Sequence, residues 1–531
     1  LDIQTTRLLN VLGNKNVKRV STSVGPEQEY FLVDEEKYKQ RKDLIFTGRT
    51  LFGAMPPKGQ EMDDHYFGII KPRIEGFMKD LNIEAWKLGI SAKTEHNEVA
   101  PAQHELAPIY NSNNVATDHN QLVMETMKKV ARRHNFECLL HEKPFAGVNG
   151  SGKHDNWSLV TNTGKNLLSP GKTPYDNKQF LLFLSAVIAA VDDNAALLRM
   201  SASNPGNDHR LGANEAPPAI ISIFLGEQLE DIVEQILQNG TATHSNKGER
   251  MDIGVHTIPP IKKDATDRNR TSPFAFTGNK FEFRMVASSM SIAGANTVLN
   301  ATVADVLQSM ADRMEKADDL DKTVDEIIYE TLKEHQKVIF NGNGYSDEWI
   351  AEAEKRGLPN VKTMVDATAS LLYPKTIEIF ERQHVYTKTE LESRAEINYE
   401  AYAKAINIEA KTMIHMASKE YIPAIISYVT SLGDSINSIS AACAEADLSV
   451  QKDLLTTCSS LLAKAQTALY ALKDADKKAN AMEEGKKQAE FFRDTVFTAM
   501  ADLRAPIDEL EMIVDKEYWP VPSYGDMLFE V

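Results

Sequence analysis

The chain has little of what marks secreted or membrane-spanning proteins. Its three cysteines, Cys138, Cys443 and Cys458, are too few for a disulfide framework and lack metal-site spacing. No run approaches the roughly 18 apolar residues of a membrane span, and we recognise no signal peptide. We therefore expect a reducing, cytoplasmic setting and no membrane partner.

Positive charge is also scarce, with 59 lysines and arginines against 76 acidic residues and a net charge of −17. A protein that binds phosphate backbones needs a basic surface, so this balance argues against a nucleic-acid partner. Nucleotides need only a few local cations and are not excluded. The Walker A motif is absent as well, which disfavours a P-loop enzyme.

The composition predicts two parts in a chain of 531 residues. The first part mixes predicted strands and helices, so we expect the α+β class, with helices over 65–81, 118–140 and 175–200, a strand over 83–92 and a loop over 203–218. From Asn300 onward, Ala, Glu and Lys dominate, and long helices over 390–419, 447–479 and 484–516 could form an antiparallel bundle. We divide the chain into a catalytic domain, 1–315, and a helical C-terminal extension, 316–531, whose extended aromatic tail, 519–528, docks on a surface. The first residue is not Met, and the abrupt helical opening suggests a fragment of a longer protein.

One stretch, Asn149–Ser158, combines a glycine turn with a polar strand face. Gly150 and Gly152 allow a ligand to approach the backbone closely. In a strand, His154, Asn156 and Ser158 share one face. This arrangement resembles the wall of an active site, although a hairpin with a solvated polar face explains the stretch equally well.

Several acids occupy comparable positions on predicted strands or bends. Glu27 and Glu29 share one strand face, and the bend expected at Pro101 could turn the two acids flanking it towards one point. Solvated acids, or an ion-pair ladder in Lys280–Arg284, are the simpler alternatives. The pooled candidates are Glu27, Glu29, Glu98, Glu105, His154 and Glu282.

This set has a clear chemical implication if its members meet. Buried carboxylates repel one another and lose hydration, and divalent cations are the natural compensation. Oxygen-rich ligands suit Mg²⁺ or Mn²⁺, and six ligands are enough for two ions. With arginines and a lysine nearby, such a site suits phosphoryl transfer. The residues alone therefore predict a two-metal enzyme that could use ATP.

Six ordered motifs then resemble those of the glutamine synthetases. They span roughly residues 20–300 and are Gly25–Tyr30, Glu98–Glu105, Asn149–His154, Arg210-Leu with Glu215-Ala-Pro, Asn269-Arg270 and Phe281–Arg284. The loop 204–218 and the helical extension resemble type III members. The resemblance implies a catalytic domain of the glutamine synthetase/guanido kinase type, in which helices back a largely antiparallel, curved sheet.

The resemblance implies ADP-forming ligation of ammonia to L-glutamate through γ-glutamyl phosphate. Two or more Mg²⁺ or Mn²⁺ ions per site would be held by two sets of ligands, namely Glu29, Glu98 and Glu105, and Glu27, His154 and Glu282. The substrate would contact Asn149, Gly150, Arg210 and Arg284, and the nucleotide would lie near Asn156, Ser158, Lys280 and Arg270. Arg270 would also stabilise the transferring phosphoryl group, and Glu215 would close the site and help deprotonate ammonium.

The sequence departs from the best-known bacterial form in several places. Ala275 stands where a second phosphate-binding arginine is expected, and Asn156 replaces a histidine. From the resemblance we also expect the family's N-terminal domain to be mostly or wholly missing here. The family also implies a homo-oligomer of two stacked hexameric rings, a dodecamer. The rival interpretations are a ligase that uses another amine and a non-catalytic scaffold or regulator with the same fold.

Overall fold

The computed structural model describes residues 1–213, 216, 218–245, 250–251, 261–262 and 272–530. Within these ranges, nine strands form one sheet and two more form a separate pair. The strands are β1 (Val20–Asp34), β2 (Ala92–Asn97), β3 (Gln103–Pro108), β4 (Asn111–Ser112), β5 (Phe136–Leu139), β6 (Gly152–Thr161), β7 (Ile223–Phe224), β8 (Arg250–Met251), β9 (Ile261–Lys262), β10 (Phe274–Phe276) and β11 (Phe281–Ala287).

The large sheet is mostly antiparallel, as expected. Its order is β2-β3-β1-β6-β11-β10-β7, with β4 and β5 also paired to β1. Only the β10–β7 pairing is parallel among the described strand pairs. Strand β1 is the hub, because it pairs with β6 along Val20–Gln28 and with β3 along Gln28–Phe31. This register brings separate sequence motifs onto neighbouring strands.

Helices of the first part cover the sheet and fill the space between its connections. The long apolar helix α6 is buried along nearly its whole length. The helices of this part are α1 (Asp2–Val11), α2 (Glu35–Lys39), α3 (Lys42–Thr47), α4 (Pro72–Lys87), α5 (Asn113–Arg133), α6 (Lys178–Asp193), α7 (Ala195–Ser201), α8 (Pro205–Arg210), α9 (Glu227–Asn239) and α10 (Ala293–Met314).

The second part is helical, which agrees with its composition. A capping box between Thr387 and Glu390 begins its helix α15. The helices are α11 (Leu320–His335), α12 (Asp347–Lys355), α13 (Met364–Thr368), α14 (Pro374–Arg382), α15 (Lys388–Met416), α16 (Ile422–Ala442), α17 (Ser449–Asn480), α18 (Lys486–Phe491), α19 (Phe497–Glu511) and α20 (Tyr524–Phe529). The apolar helix α16 was not among the long helices predicted.

The largest apolar core joins both parts of the chain. It includes Trp157 of β6, Leu184 of α6 and Leu299 of α10, and it continues to Leu510 of α19. Residues on both sides of position 315 therefore contribute to one core, and the division at 315 stays a prediction. No single helix in the described ranges is long and apolar enough to cross a membrane. The helices α6 and α7 pass that test only as a pair that bends by 80°.

Two helix predictions had wrong boundaries. The helix predicted over 65–81 begins at Pro72 and runs to Lys87, so the strand predicted over 83–92 is wrong. Proline is well suited to the first helical turn, where its missing N–H costs nothing. The helix predicted over 118–140 ends at Arg133 because Asn135 adopts a positive φ of 57° and β5 then pairs with β1.

The loop and the tail also contain short helices that the sequence did not predict. Asn204 caps α8 by accepting a hydrogen bond from the backbone N–H of Asn207, so the segment 203–218 is not all loop. Tyr524 of the tail is buried, and the tail ends in α20 rather than in an extended segment. A capping box between Ser523 and Asp526 starts that helix.

Candidate active site

A cavity of about 180 Å³ lies where β1, β3, β6 and β11 come together with two loops. Ten of the residues predicted from the sequence line it, namely Glu27, Glu29, Glu98, Glu105, Asn149, Gly150, His154, Arg210, Glu282 and Arg284. Eight lining residues were not predicted, namely Tyr66, His96, Val99, Leu211, Ala216, Pro273, Met285 and Tyr345. The cavity is therefore surrounded mainly by charged and polar groups.

The sheet register brings the acids together. Glu27 on β1 pairs with His154 on β6, and Glu29 pairs with Glu105 on β3. Because neighbouring strands lie about 5 Å apart, side chains at paired positions on one face are in reach of each other. Glu282 lies on β11, which pairs with the other edge of β6.

The turn between β2 and β3 directs Glu98 towards the same cavity. Its backbone N–H donates to the carbonyl of Gln103 at 2.9 Å, and Ala102 adopts a positive φ of 62°. The chain thus reverses just after Pro101. The expected bend is therefore present, and the two acids that flank it, Glu98 and Glu105, both reach the cavity.

His154 is the centre of the first group of acids. Its Nδ1 lies 3.1 Å from Glu27 Oε2 and 3.1 Å from Glu282 Oε1, and its Nε2 lies 3.7 Å from Glu29 Oε1. Burial opposes a charge on the imidazole. The hydrogen bonds to Glu27 and Glu282 outweigh that effect and raise the pKa of His154 well above its usual value.

His96 centres a second group that the sequence analysis missed. Its Nε2 lies 3.0 Å from Glu105 Oε1, and its Nδ1 lies 3.5 Å from Glu98 Oε1. The hydrogen bond to Glu105 raises the pKa of His96 to about 9. One available signal was its spacing, since His96 lies two residues before Glu98, at the end of β2.

The acids around His96 still repel one another. Burial, followed by the charges of Glu29 and Glu105, raises the pKa of Glu98 to about 8. Burial likewise raises the pKa of Glu105, against the effect of His96. Glu282 differs, because His154 and Arg284 together lower its pKa despite its burial. Protons and one guanidinium thus balance part of the negative charge.

This donor set fits divalent cations. Glu27, Glu105 and His154 each offer one ligand atom, and those atoms lie within 4.8 Å of one another. His96, Glu98 and Glu105 form a second such group. Carboxylate oxygens with an imidazole suit Mg²⁺ or Mn²⁺. A bound cation would replace the charge that the imidazole protons now provide.

Arg284 has unused donors beside these acids. Its Nη2 donates to Glu282 Oε2 at 3.0 Å, and its buried Nε and Nη1 have no hydrogen-bond partner among the described residues. Buried donors of this kind normally have a partner. Since Arg284 also lines the cavity, these N–H groups are suited to an anionic ligand such as a carboxylate.

Arg210, at the end of α8, reaches the cavity across Gly152. A Cβ added to Gly152 would lie 2.4 Å from the Arg210 guanidinium, so only glycine leaves room for this contact. Gly150 is equally restricted, because its Cβ would lie 2.2 Å from the carbonyl oxygen of Glu142. The glycine turn noted in the sequence therefore serves close packing around Arg210 and Glu142.

The remaining predicted residues divide into two groups. Asn156 donates to Glu27 Oε1 at 2.9 Å, and Ser158 donates to the carbonyl of Asn279 at 3.0 Å, the residue next to Lys280. Asn156 and Ser158 lie on β6, Lys280 immediately precedes β11, and none of the three lines the cavity. Glu215 and Arg270, predicted to be catalytic, lie outside the described residues.

Comparisons with known proteins match both parts of the chain. The glutamine synthetase catalytic domain matches residues 6–220, and the glutamine synthetase C-terminal domain matches residues 323–440. A glutamine synthetase of Butyrivibrio fibrisolvens is 47% identical over 100% of this chain and 76% of its own length. This chain belongs to the glutamine synthetase family. The family predicted from the six motifs is thus confirmed.

Two further members of the family align over almost the whole chain. A type-3 glutamine synthetase of Dictyostelium discoideum is 45% identical over 98% of this chain and 72% of its own length. A glutamine synthetase of Bacteroides fragilis (strain YCH46) is 44% identical over the same shares. Membership in the glutamine synthetases implies a ligase that forms glutamine from glutamate and ammonia with ATP and a divalent metal.

Proposed function

We propose that this protein ligates ammonia to L-glutamate in two steps and releases ADP. In the first step, the γ-carboxylate of glutamate attacks the γ-phosphorus of ATP, which forms γ-glutamyl phosphate and ADP. In the second step, ammonia attacks the acyl carbon, and inorganic phosphate leaves as the amide forms. The observation that supports this proposal best is the convergence of five glutamates and His154 on one cavity beside Arg284.

We assign the acidic groups to metal binding. Glu29, Glu98 and Glu105 would hold one Mg²⁺ or Mn²⁺, and Glu27, His154 and Glu282 would hold another. When bound, such cations would neutralise charge on the nucleotide phosphates and on the phosphoryl group in transfer. The short contacts of His154 with Glu27 and Glu282 support the second set. His96 contacts Glu98 and Glu105 and would orient these two acids of the first set.

Arginines and neighbouring residues of the cavity would bind and orient the substrate. Arg284 and Arg210 would hold the carboxylates of glutamate, and Asn149 and Gly150 would lie along the backbone of the bound glutamate. The unused donors of Arg284 support this role. Asn156, Ser158 and Lys280 would lie near the nucleotide, and Arg270 would stabilise the transferring phosphoryl group. Glu215 would close the site and help deprotonate ammonium.

The direct test is formation of glutamine from glutamate, ammonium and MgATP, with hydroxylamine in place of ammonium in a parallel reaction. Glutamine, ADP and the hydroxamate together are expected from an acyl-phosphate ligase. If the protein formed neither amide nor hydroxamate, the catalytic proposal would be wrong and the scaffold interpretation would replace it. A preference for small alkylamines over ammonium would instead support the rival ligase.

We also propose that the protein works in the cytoplasm as a dodecamer of two stacked hexameric rings. The family suggests this assembly, and the small number of cysteines fits a reducing compartment. Light scattering of the purified protein tests the ring assembly. A monomer or dimer at micromolar concentration would exclude it.

A further inference from the structure

We propose that Tyr524, in the C-terminal tail, is a positioning residue for glutamate binding. It would act through residues 142–151, here called the substrate loop, which carry Asn149 and Gly150. The inference rests on the proposed function only for the identity of the substrate. The contacts that support it join the tail to residues 378 and 474 positions earlier in the chain.

Tyr524 is fully buried, and its hydroxyl is the meeting point of three hydrogen bonds. The hydroxyl oxygen lies 2.6 Å from Thr50 Oγ1, 3.1 Å from the backbone nitrogen of Ala146 and 3.1 Å from Arg504 Nη2. Ala146 belongs to the substrate loop, and Arg504 belongs to α19 of the helical extension. One hydroxyl thus connects the extension directly to the loop.

The direction of these bonds follows from the groups involved. The amide of Ala146 and the guanidinium of Arg504 can only donate, so the Tyr524 oxygen accepts from both and donates its proton to Thr50 Oγ1. Thr50 Oγ1 in turn donates to the carbonyl of Pro144 at 2.7 Å. The chain of bonds therefore fixes the substrate loop at two points, Pro144 and Ala146.

The substrate loop is stiff between these points and the cavity. Its ends are joined by a bond from the Ser151 N–H to the Glu142 carbonyl at 2.8 Å, and Lys143 Nζ donates to the carbonyl of Val148. Gln103 Nε2 donates to the carbonyl of Gly150 at 3.0 Å. A displacement at Ala146 would therefore be transmitted to Asn149 and Gly150 rather than absorbed locally.

The helical extension holds the neighbouring segment, residues 49–54, just as closely. Asp508 accepts from the Gly53 N–H at 2.7 Å, and Glu511 accepts from the Ala54 N–H at 2.8 Å. The ring of Tyr524 lies against Gly53, where an added Cβ would stand 2.1 Å from it. The extension and its tail thus hold in place both the substrate loop and the neighbouring segment, residues 49–54.

The test is Tyr524→Phe, which keeps the buried ring and removes only the hydroxyl. We expect a fold that melts cooperatively, faster hydrogen exchange confined to residues 144–150, and a glutamate KM raised about tenfold, since the Ala146 N–H and Arg504 Nη2 both lose the hydroxyl as an acceptor. The KM for ATP should be unchanged. Thr50→Val removes the next bond in the chain and should raise the glutamate KM in the same way, with less than additive effect in the double variant.

A matched control is Tyr402→Phe, a hydroxyl deletion at another buried tyrosine of the extension. It should leave both KM values and the exchange of residues 144–150 unchanged. Unaltered exchange in Tyr524→Phe, or faster exchange with an unaltered glutamate KM, would overturn the positioning role. If the parent protein formed no glutamine, the proposed function would fail separately. Glutamate affinity by calorimetry would then decide the role of Tyr524, and equal affinities in the two proteins would overturn it.

Discussion

Removal of the Arg284 side chain should selectively weaken glutamate binding. The guanidinium donates one bond to Glu282, and its buried Nε and Nη1 have no hydrogen-bond partner among the described residues. A hydrogen bond to a charged group contributes about 1.5–3 kcal/mol, so two such bonds to a carboxylate contribute about 3–6 kcal/mol. Arg284→Ala should therefore raise the glutamate KM by roughly two to four orders of magnitude. The KM for ATP should change little.

The assay is glutamine formation over a wide range of glutamate concentrations at saturating ammonium and MgATP. Arg284→Lys keeps the charge without the forked geometry and should recover only part of the affinity. A suitable control is Arg73→Ala. Arg73 lies near the far end of β1, where its guanidinium bonds to Asp34 and to two backbone carbonyls. That variant should lose stability and keep its glutamate KM. An unchanged glutamate KM in Arg284→Ala would exclude Arg284 from the glutamate site.

Three further predictions concern the metal ligands, the glycine turn and the stability of the fold. Glu282→Gln should abolish turnover and leave the assembled fold intact, and retained activity with normal metal dependence would remove Glu282 from the metal site. Gly150→Ala should reduce activity more than tenfold, because the new Cβ would lie 2.2 Å from a backbone oxygen. Gly433→Ala, where a Cβ meets nothing within 4 Å, should leave turnover unchanged as its control. Burial raises the pKa of Glu95 to about 8, so the folded state binds the extra proton and stability should fall as pH rises from about 4.5 to 8. Glu95→Gln should remove that loss and raise the free energy of unfolding at pH 8 by roughly 1–4 kcal/mol, with no gain at pH 4, as measured by urea denaturation.

Local periodicity was enough to predict the strand-borne candidates. The alternation of Lys280–Arg284 and of His154–Ser158 correctly indicated strands, because side-chain direction in a strand follows from adjacent residues alone. Helix limits were less predictable. The helix predicted over 118–140 included Phe136–Leu139, which has enough apolar residues for either structure and forms a strand only because β1 lies beside it.

The residues that line the cavity could also be predicted only in part. Tyr66 and Tyr345 line the cavity from segments that carry no motif, and nothing in their local sequence marks them. His96 had a spacing signal, since it lies two residues before an acid already selected. Its contact with Glu105 depends on the hairpin register, in which these two residues are paired.

The family of this protein could be read from its motifs alone. The order and identity of the acidic, histidine, arginine and glycine motifs predicted a metal-dependent glutamine synthetase fold, and the family comparisons confirmed the family. Which of these groups meet depends on the folded sheet, because the register of β1 with β3 and β6 sets the pairs of Glu27 with His154 and of Glu29 with Glu105. The folded structure also brings the tail into contact with the substrate loop. The contact of Tyr524 with Ala146 joins residues 378 positions apart, and a contact at that separation exists only once the chain has folded around one core.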